Sequence, residues 1–126
     1  MTAAAVPPAR HLLRARDLAD REYASAGTDV PAMARAALAS PAHFSRAFAA
    51  AFGIPPGRYL QERRITRAAF LLRETPLPVT EIALAVGFRS LGTFSSTFSR
   101  LMGISPRAYR RSVEPVPIPS CFRFPR

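Results

Sequence analysis

The sequence predicts an all-α fold in which two similar helical subdomains are joined by a long central helix. Apolar residues recur at helical spacing along most of the chain, and glycines and prolines divide this pattern into seven segments. In addition, residues 40–59 recur in altered form as residues 90–109. A serine, two phenylalanines, a glycine and a tyrosine keep their positions in both copies, so we expect the chain to present one helical unit twice.

The composition indicates an anionic partner. The 126-residue chain carries 18 basic against 8 acidic side chains, which gives a net charge of +10, and every basic residue is an arginine. Such an excess favours nucleic acid or a membrane surface, and arginine suits bidentate contacts with phosphates and guanine edges. A chain of this length fits one compact domain or two very small helical subdomains, so a large enzyme cleft is not expected.

No metal, cofactor or disulfide is expected. Cys121 is the single cysteine, and the two histidines, His11 and His43, stand far apart with no ligand spacing around them. The first residues lack the apolar stretch of a signal peptide, and the longest apolar run, 47–54, is too short to cross a bilayer. We therefore expect a protein of the reducing cytoplasm with no membrane partner.

The first two helices follow a flexible segment of residues 1–8. The first is predicted over residues 9–25, before Ala26-Gly27 ends it. Its residues at helical spacing are Leu12, Leu13, Arg16, Ala19, Glu22 and Tyr23. A short second helix opens at Asp29-Val30-Pro31, because proline is tolerated in a first helical turn. Its small apolar face consists of Met33, Ala34 and Ala37.

The third helix begins at Ser40-Pro41, since serine is a good N-cap and proline is tolerated at the first helical position. The residues predicted to pack inward are Phe44, Phe48, Ala51 and Phe52. The opposite face carries Ala42, Ser45, Arg46 and Ala49. Gly53-Ile54-Pro55 then ends the helix.

The long central helix is predicted over residues 56–74. At a rise of about 1.5 Å per residue it spans about 28 Å. The buried stripe of this helix is predicted to be Tyr59, Leu60, Ile65, Ala68, Ala69, Leu71 and Leu72. Pro76 and Pro78 stop the helix, because neither proline can continue a helix interior.

The remaining helices form the second copy. A short helix is predicted around residues 79–86, followed by a turn at Gly87 and a helix over residues 91–102 that Ser90 caps. The inward residues of the capped helix are predicted to be Phe94, Phe98, Leu101 and Met102. Its outward residues are Gly92, Ser95, Ser96, Ser99 and Arg100. A last short helix is predicted over residues 106–112.

Residues 31–52 and 79–102 each contain two helices separated by a tight turn. In a helix-turn-helix unit the second helix enters the major groove of DNA while its apolar back packs on the first. The sequence thus predicts seven helices forming two helix-turn-helix subdomains joined by a long central helix. The predicted boundaries are 1–8 for a flexible N-terminus, 9–54 for the first subdomain, 55–75 for the linker helix, 76–112 for the second subdomain and 113–126 for a proline-rich extended tail.

A family resemblance extends across both units and the helix between them. The residues that carry it are Met33-Ala34, Ser40, His43–Arg46, Phe48, Gly53–Pro56, Tyr59-Leu60, Arg64-Ile65, Leu71-Leu72, Ile82-Ala83, Gly87-Phe88, Thr93-Phe94, Gly103–Pro106 and Tyr109-Arg110. With these residues, the range 10–112 resembles the DNA-binding domain of the AraC/XylS family of bacterial transcription regulators. The resemblance implies sequence-specific binding of double-stranded promoter DNA by two recognition helices in successive major-groove segments, with contact to RNA polymerase.

The resemblance also assigns site residues. The base-reading residues of the first recognition helix would be Ala42, Ser45 and Arg46. Those of the second would be Gly92, Thr93, Ser95 and Ser96. The phosphate contacts would be His43, Arg58, Arg89, Arg100, Arg107 and Arg110.

The chain departs from the family pattern in three ways. The family usually has arginine at the position of Ser96, so the second recognition helix loses its strongest base-reading group. The first turn has Leu38-Ala39 where the family commonly has glycine, which suits only a turn that needs no positive φ. The chain is too short for the separate ligand-sensing domain of most members, so we expect either a single-domain member or a fragment.

Other functions remain open at this point. A protein-interaction module or anti-regulator that keeps the fold but binds DNA weakly is the main alternative, and Ser96 supports it. An RNA-binding module is not favoured, because the chain lacks an aromatic sheet motif and a glycine-rich clamp. No enzyme is expected, since the carboxylates are scattered. Because both recognition helices lie on one chain, a monomer on DNA is favoured over a dimer.

Overall fold

The computed structural model describes residues 7–112, and over this range the chain is α-helical with no strand. The helices are α1 (Ala9–Glu22), α2 (Val30–Ala36), α3 (Pro41–Phe52), α4 (Pro56–Glu74), α5 (Val79–Ala85), α6 (Leu91–Met102) and α7 (Pro106–Arg111). The predicted all-α fold of seven helices is therefore confirmed. The predicted tail at 113–126, with Cys121, and most of the predicted flexible N-terminus lie outside the described residues.

The chain divides into two compact units, Met1–Leu60 and Gln61–Arg126. This boundary falls inside α4, whose first turn belongs to unit 1 and whose remainder belongs to unit 2. None of the helices within residues 7–112 is long and apolar enough to span a membrane.

Unit 1 is built on an aromatic core. Phe44 and Phe48 of α3 are fully buried, with ring centroids 5.5 Å apart, and Tyr59 lies 5.6 Å from Phe48. The Tyr59 hydroxyl donates a hydrogen bond of 2.6 Å to Oδ1 of Asp20, which joins the first turn of α4 to α1. Phe52 is half-buried against Phe48. These contacts fix which face of α3 is turned outward.

Leu13 and Ala51 of unit 1 are exposed, and Ala51 was predicted to pack inward. Leu13 is 46% exposed, because the buried line of α1 runs through Leu12, Ala15 and Ala19, and Leu13 lies about 100° around the helix from Leu12. Ala51 is also exposed, since Phe48 and Phe52 already cover the inner face at that end of α3. The inward prediction for Ala51 was therefore wrong.

Unit 2 repeats the aromatic core. The rings of Phe94 and Phe98 in α6 lie 5.7 Å apart, and Tyr109 of α7 lies 5.6 Å from Phe98. Four residues of α4 complete this core, and three of them, Ile65, Ala68 and Leu72, have the same spacing as the buried α1 residues of unit 1; the fourth is Ala69. The repeat therefore includes the helix before each helix-turn-helix, which the sequence did not reveal. Leu71 and Leu101, predicted to be buried, are only half-buried.

The turn between α2 and α3 contradicts an expectation from the sequence. Leu38 has φ 56°, in the left-handed region, and the corresponding Gly87 of the turn between α5 and α6 has φ 105°. In the first turn the N–H of Ala39 donates to the carbonyl of Ala34, and in the second the N–H of Phe88 makes the same bond to Ala83. This closing bond needs a left-handed residue, so the first turn does require positive φ and a leucine supplies it.

The second turn is one residue longer than the first. The helices α2 and α5 begin 49 residues apart, whereas α3 and α6 begin 50 residues apart. Arg89 is the additional residue, and it lies directly before the N-cap Ser90. Phe88 packs against Phe94 with ring centroids 5.3 Å apart, a contact that the smaller Ala39 cannot make in unit 1.

Candidate nucleic-acid interface

The first recognition helix, α3, is oriented by its core and its cap. Ser40 is the N-cap, and its Oγ accepts a hydrogen bond of 3.4 Å from the backbone N–H of His43. With Phe44 buried, the opposite side of the helix faces outward, where Ala42 and Arg46 are exposed and Ser45 is half-buried. The structure thus brings the predicted base-reading residues of α3 onto one face.

Arg46 is the only arginine of α3, and the helix contains no lysine, aspartate or glutamate. Its side chain is exposed, and it makes no hydrogen bond or ion pair with any of the described residues. The guanidinium is therefore available to a partner outside the chain. A guanidinium presents a fixed fork of donors that matches the N7 and O6 acceptors of guanine.

The second recognition helix, α6, has a different face. Gly92, Thr93 and Ser96 are exposed and Ser95 is half-buried. A Cβ atom added to Gly92 would meet no atom of residues 7–112 within 4 Å, so packing among these residues does not require glycine there. This face also contains the residues predicted to read bases, but none of them is charged or long.

The hydroxyl groups of the N-cap Ser90 and of Ser96 are hydrogen-bonded to residues of α6. The N-cap Ser90 accepts a hydrogen bond of 3.2 Å from the Thr93 N–H, and its hydroxyl donates to Thr93 Oγ1 at 3.0 Å. The Ser96 hydroxyl donates to the carbonyl oxygens of Gly92 at 3.0 Å and Thr93 at 3.3 Å. The cap bond of Ser90 was predicted from the sequence, whereas the hydroxyl–hydroxyl bond to Thr93 and the bonds of Ser96 were not.

The only charged side chain of α6, that of Arg100, lies at the C-terminal end of the helix. Arg100 is exposed in the last turn, about 12 Å along the helix from Gly92, and its Nη2 donates to Oε1 of Gln61 at 3.3 Å. Arg100 was predicted to contact phosphate. Its position leaves the N-terminal half of α6 without a charged side chain.

The other predicted phosphate contacts occupy turns and first helical turns. Arg58 and Arg107 are exposed in the first turns of α4 and α7, and Arg89 is exposed before α6. His43 is half-buried in the first turn of α3. All four positions are near helix N-termini, where backbone N–H groups and the helix dipole favour anions.

Arg110 has a structural partner that the sequence did not predict. Its guanidinium is half-buried, and it donates from Nε to the carbonyl of Leu72 and from Nη2 to the carbonyl of Thr75, both at 3.0 Å. These are carbonyls at and just beyond the last turn of α4, where a cation satisfies acceptors that the helix leaves open. We therefore leave Arg110 out of the proposed phosphate contacts.

The sequence matches a known domain family and several curated regulators. A family described as a helix-turn-helix domain matches residues 33–112, more than half of the chain. The activator AarP of Providencia stuartii is 43% identical over 70 residues, which cover 56% of this chain and 52% of that protein. An uncharacterized HTH-type transcriptional regulator of Haemophilus influenzae is 41% identical over 81 residues, covering 64% of this chain and 27% of that protein. The chain spans about a quarter to a half of the length of these relatives.

Solved structures share the fold. The C-terminal domain of AraT, a response regulator from Geobacillus stearothermophilus, has a TM-score of 0.76 and 34% identity, covering 79% of this chain and 83% of that one. The DNA-binding domain of the global transcriptional factor AdpA, solved in complex with a target DNA, has a TM-score of 0.74 and 32% identity. The match covers 79% of this chain and 89% of that one.

Proposed function

Because the chain belongs to the AraC/XylS family of helix-turn-helix transcription regulators, we propose that it regulates transcription by binding specific double-stranded promoter DNA. The observation that carries this proposal is Arg46. It is an exposed, unbonded arginine on a recognition helix whose opposite face is held in an aromatic core. In this proposal α3 lies in the major groove, and α6 lies in a successive groove segment.

The phosphate contacts of this proposal come from four arginines and one histidine. They are Arg58, Arg89, Arg100, Arg107 and His43. Their task is to hold α3 and α6 in register on the duplex, because phosphate contacts position a protein without reading sequence. The net charge of +10 adds a long-range attraction to DNA that raises the association rate.

Salt dependence tests the electrostatic part of this proposal. Each phosphate neutralised by an arginine releases counterions, so four such contacts predict a slope of about −4 for log K against log salt concentration. Fluorescence anisotropy of the full chain with a labelled duplex measures this slope. A slope near zero would show that the arginines do not contact DNA phosphates.

Selection from a random-sequence duplex pool tests the sequence-specific part. We expect the pool to converge on one asymmetric site, because two recognition helices on one chain replace the two-fold partner of a dimeric regulator. Footprinting combined with sedimentation then counts the chains on that site. One chain over two groove segments agrees with the proposal, whereas a palindrome holding two chains contradicts it. A pool that does not converge favours the alternative, a protein-interaction module that keeps the fold and binds DNA weakly.

Contact with RNA polymerase and a cytoplasmic location also belong to this proposal. Both rest on membership of the family. Transcription in vitro from a promoter carrying the selected site tests the first, with purified polymerase and with or without the protein. A change in transcript yield that disappears when the site is scrambled supports it, and an unchanged yield contradicts it.

A further inference from the structure

We infer that the second recognition helix reads thymine methyl groups, with the γ-methyl of Thr93 as the contacting group, whereas the first reads guanine through Arg46. This inference rests on the proposed DNA binding and specifies the bases that each helix prefers. It follows from which atoms of α6 are free to meet a base edge.

The hydrogen bonds of the Ser96 hydroxyl remove one donor from the exposed face of α6. Guanine recognition requires donors, because the major-groove edge of guanine presents the acceptors N7 and O6. The one O–H donor of Ser96 is already directed to the carbonyls of Gly92 and Thr93. No arginine, glutamine or asparagine lies in the first two turns of α6, so no side chain there can make a bidentate contact with guanine.

Thr93 offers its γ-methyl group, an apolar contact for a base, in place of a bidentate hydrogen-bond donor. Its Oγ1 is held against the Ser90 hydroxyl at the N-cap, 3.0 Å away, which fixes the rotamer of a β-branched side chain. The oxygen is therefore directed to the cap, and the γ-methyl is the remaining end of an exposed side chain. A threonine methyl is one of the groups that contacts the C5-methyl of thymine in the major groove.

Gly92 gives the base edge access to this methyl group. A glycine inside a helix costs up to about 1 kcal/mol relative to alanine. Position 92 has space for a Cβ, because none of the described residues has an atom within 4 Å of it, so packing among them does not explain the glycine. Without a side chain next to Thr93, the backbone of α6 can approach the floor of the groove closely.

Replacement of thymine by deoxyuridine tests the inference, because it removes only the C5-methyl group. The probe is the selected duplex, and its two halves are assigned by Arg46→Ala, which relaxes the base preference of the α3 half. We expect one deoxyuridine at a contacted position in the α6 half to weaken binding about fourfold, the effect of one buried methyl group. In the α3 half we expect 7-deazaguanine, which lacks the N7 acceptor, to weaken binding.

Two variants identify the protein group. Thr93→Ser deletes the methyl and keeps the hydroxyl that bonds to Ser90, so its affinities for the thymine and deoxyuridine duplexes should become equal. Thr80→Ser is the matched control, because it deletes the same methyl group at an exposed position of α5 outside the predicted base-reading residues, and it should keep the fourfold ratio. Circular dichroism checks that both variants remain folded.

The outcomes distinguish this inference from the proposed function. A converged site that wild type binds equally with thymine or deoxyuridine throughout the α6 half overturns the inference and leaves DNA binding intact. The inference is also overturned if Thr93→Ser still binds the thymine duplex about fourfold more tightly than the deoxyuridine duplex. A pool that never converges contradicts the proposed sequence-specific binding, and the inference fails with it.

Discussion

The two units have the same buried framework and different exposed faces. In each, two phenylalanines of the recognition helix and a tyrosine of the next helix make tilted and edge-to-face ring contacts, and the centroid distances differ by no more than 0.2 Å between the units. The outward faces are less alike, since Ser45 and Ser95 coincide but α3 presents Arg46 where α6 presents Ser96. Loss of core volume costs several kcal/mol, whereas most surface changes cost less than about 0.5 kcal/mol. Burial therefore preserves the repeat, and the exposed residues differentiate its copies.

The largest expected effect tests whether the two cores are equivalent. Phe44 and Phe94 are both fully buried at the same position of the repeat. Replacing either by alanine should lower the free energy of unfolding by about 3–5 kcal/mol, because each change leaves a large cavity. Urea unfolding followed by circular dichroism measures the two losses. If one variant lost less than half as much free energy of unfolding as the other, the two cores would not contribute equally to stability.

The next effect tests the difference between the recognition faces. Arg46→Ala should weaken binding to the selected site by about 1–3 kcal/mol and relax preference at one or two base pairs. Ser96→Ala should change binding little, because the Ser96 hydroxyl is bonded to its own helix. The matched control is Arg14→Ala, which removes the same charge from the exposed side of α1. If Arg46→Ala weakened binding equally on every duplex, Arg46 would be a phosphate contact.

A substitution in the opposite direction sharpens the same comparison. Ser96→Arg restores the residue type that the family usually has at this position, on an exposed part of α6. A new selection with this variant should enrich guanine in the α6 half and leave the α3 half unchanged, since arginine is the commonest partner of guanine. Unchanged sequences in both halves would mean that this part of α6 does not reach the bases.

The last comparison concerns the two turns, where Leu38→Gly has the smallest expected effect. Leu38→Gly should stabilise unit 1 by less than about 1 kcal/mol, because relief of the left-handed strain exceeds the entropy that glycine adds to the unfolded chain. Gly87→Ala should destabilise unit 2 by about 1–3 kcal/mol, since φ 105° is unfavourable for any residue with a Cβ. Thermal unfolding of the two variants should therefore shift in opposite directions. A destabilising Leu38→Gly would indicate that the leucine side chain makes a favourable contact that outweighs its strain.

Local spacing was a sound guide to the elements of this protein. Ser40 and Ser90 cap their helices as predicted, and Gly53 and Gly103 end the same helices in the left-handed conformation. The inner faces of α3 and α6 were predicted from Phe44, Phe48, Phe94 and Phe98. The exposure of Leu13 and Ala51 was not predicted, because helical spacing alone does not determine the width of the buried stripe.

The sequence by itself determined the order of the helices, their caps and the two recognition faces, because these depend on residues within a few positions of each other. Tertiary structure decided which side chains are available to DNA. Arg110 is held by the end of α4, nearly forty residues away, and Tyr59 reaches Asp20 over a similar separation. Leu38 adopts positive φ because the packed helices on either side of it require a tight turn. Such partners arise only when helices pack together, so no spacing rule along the chain could supply them.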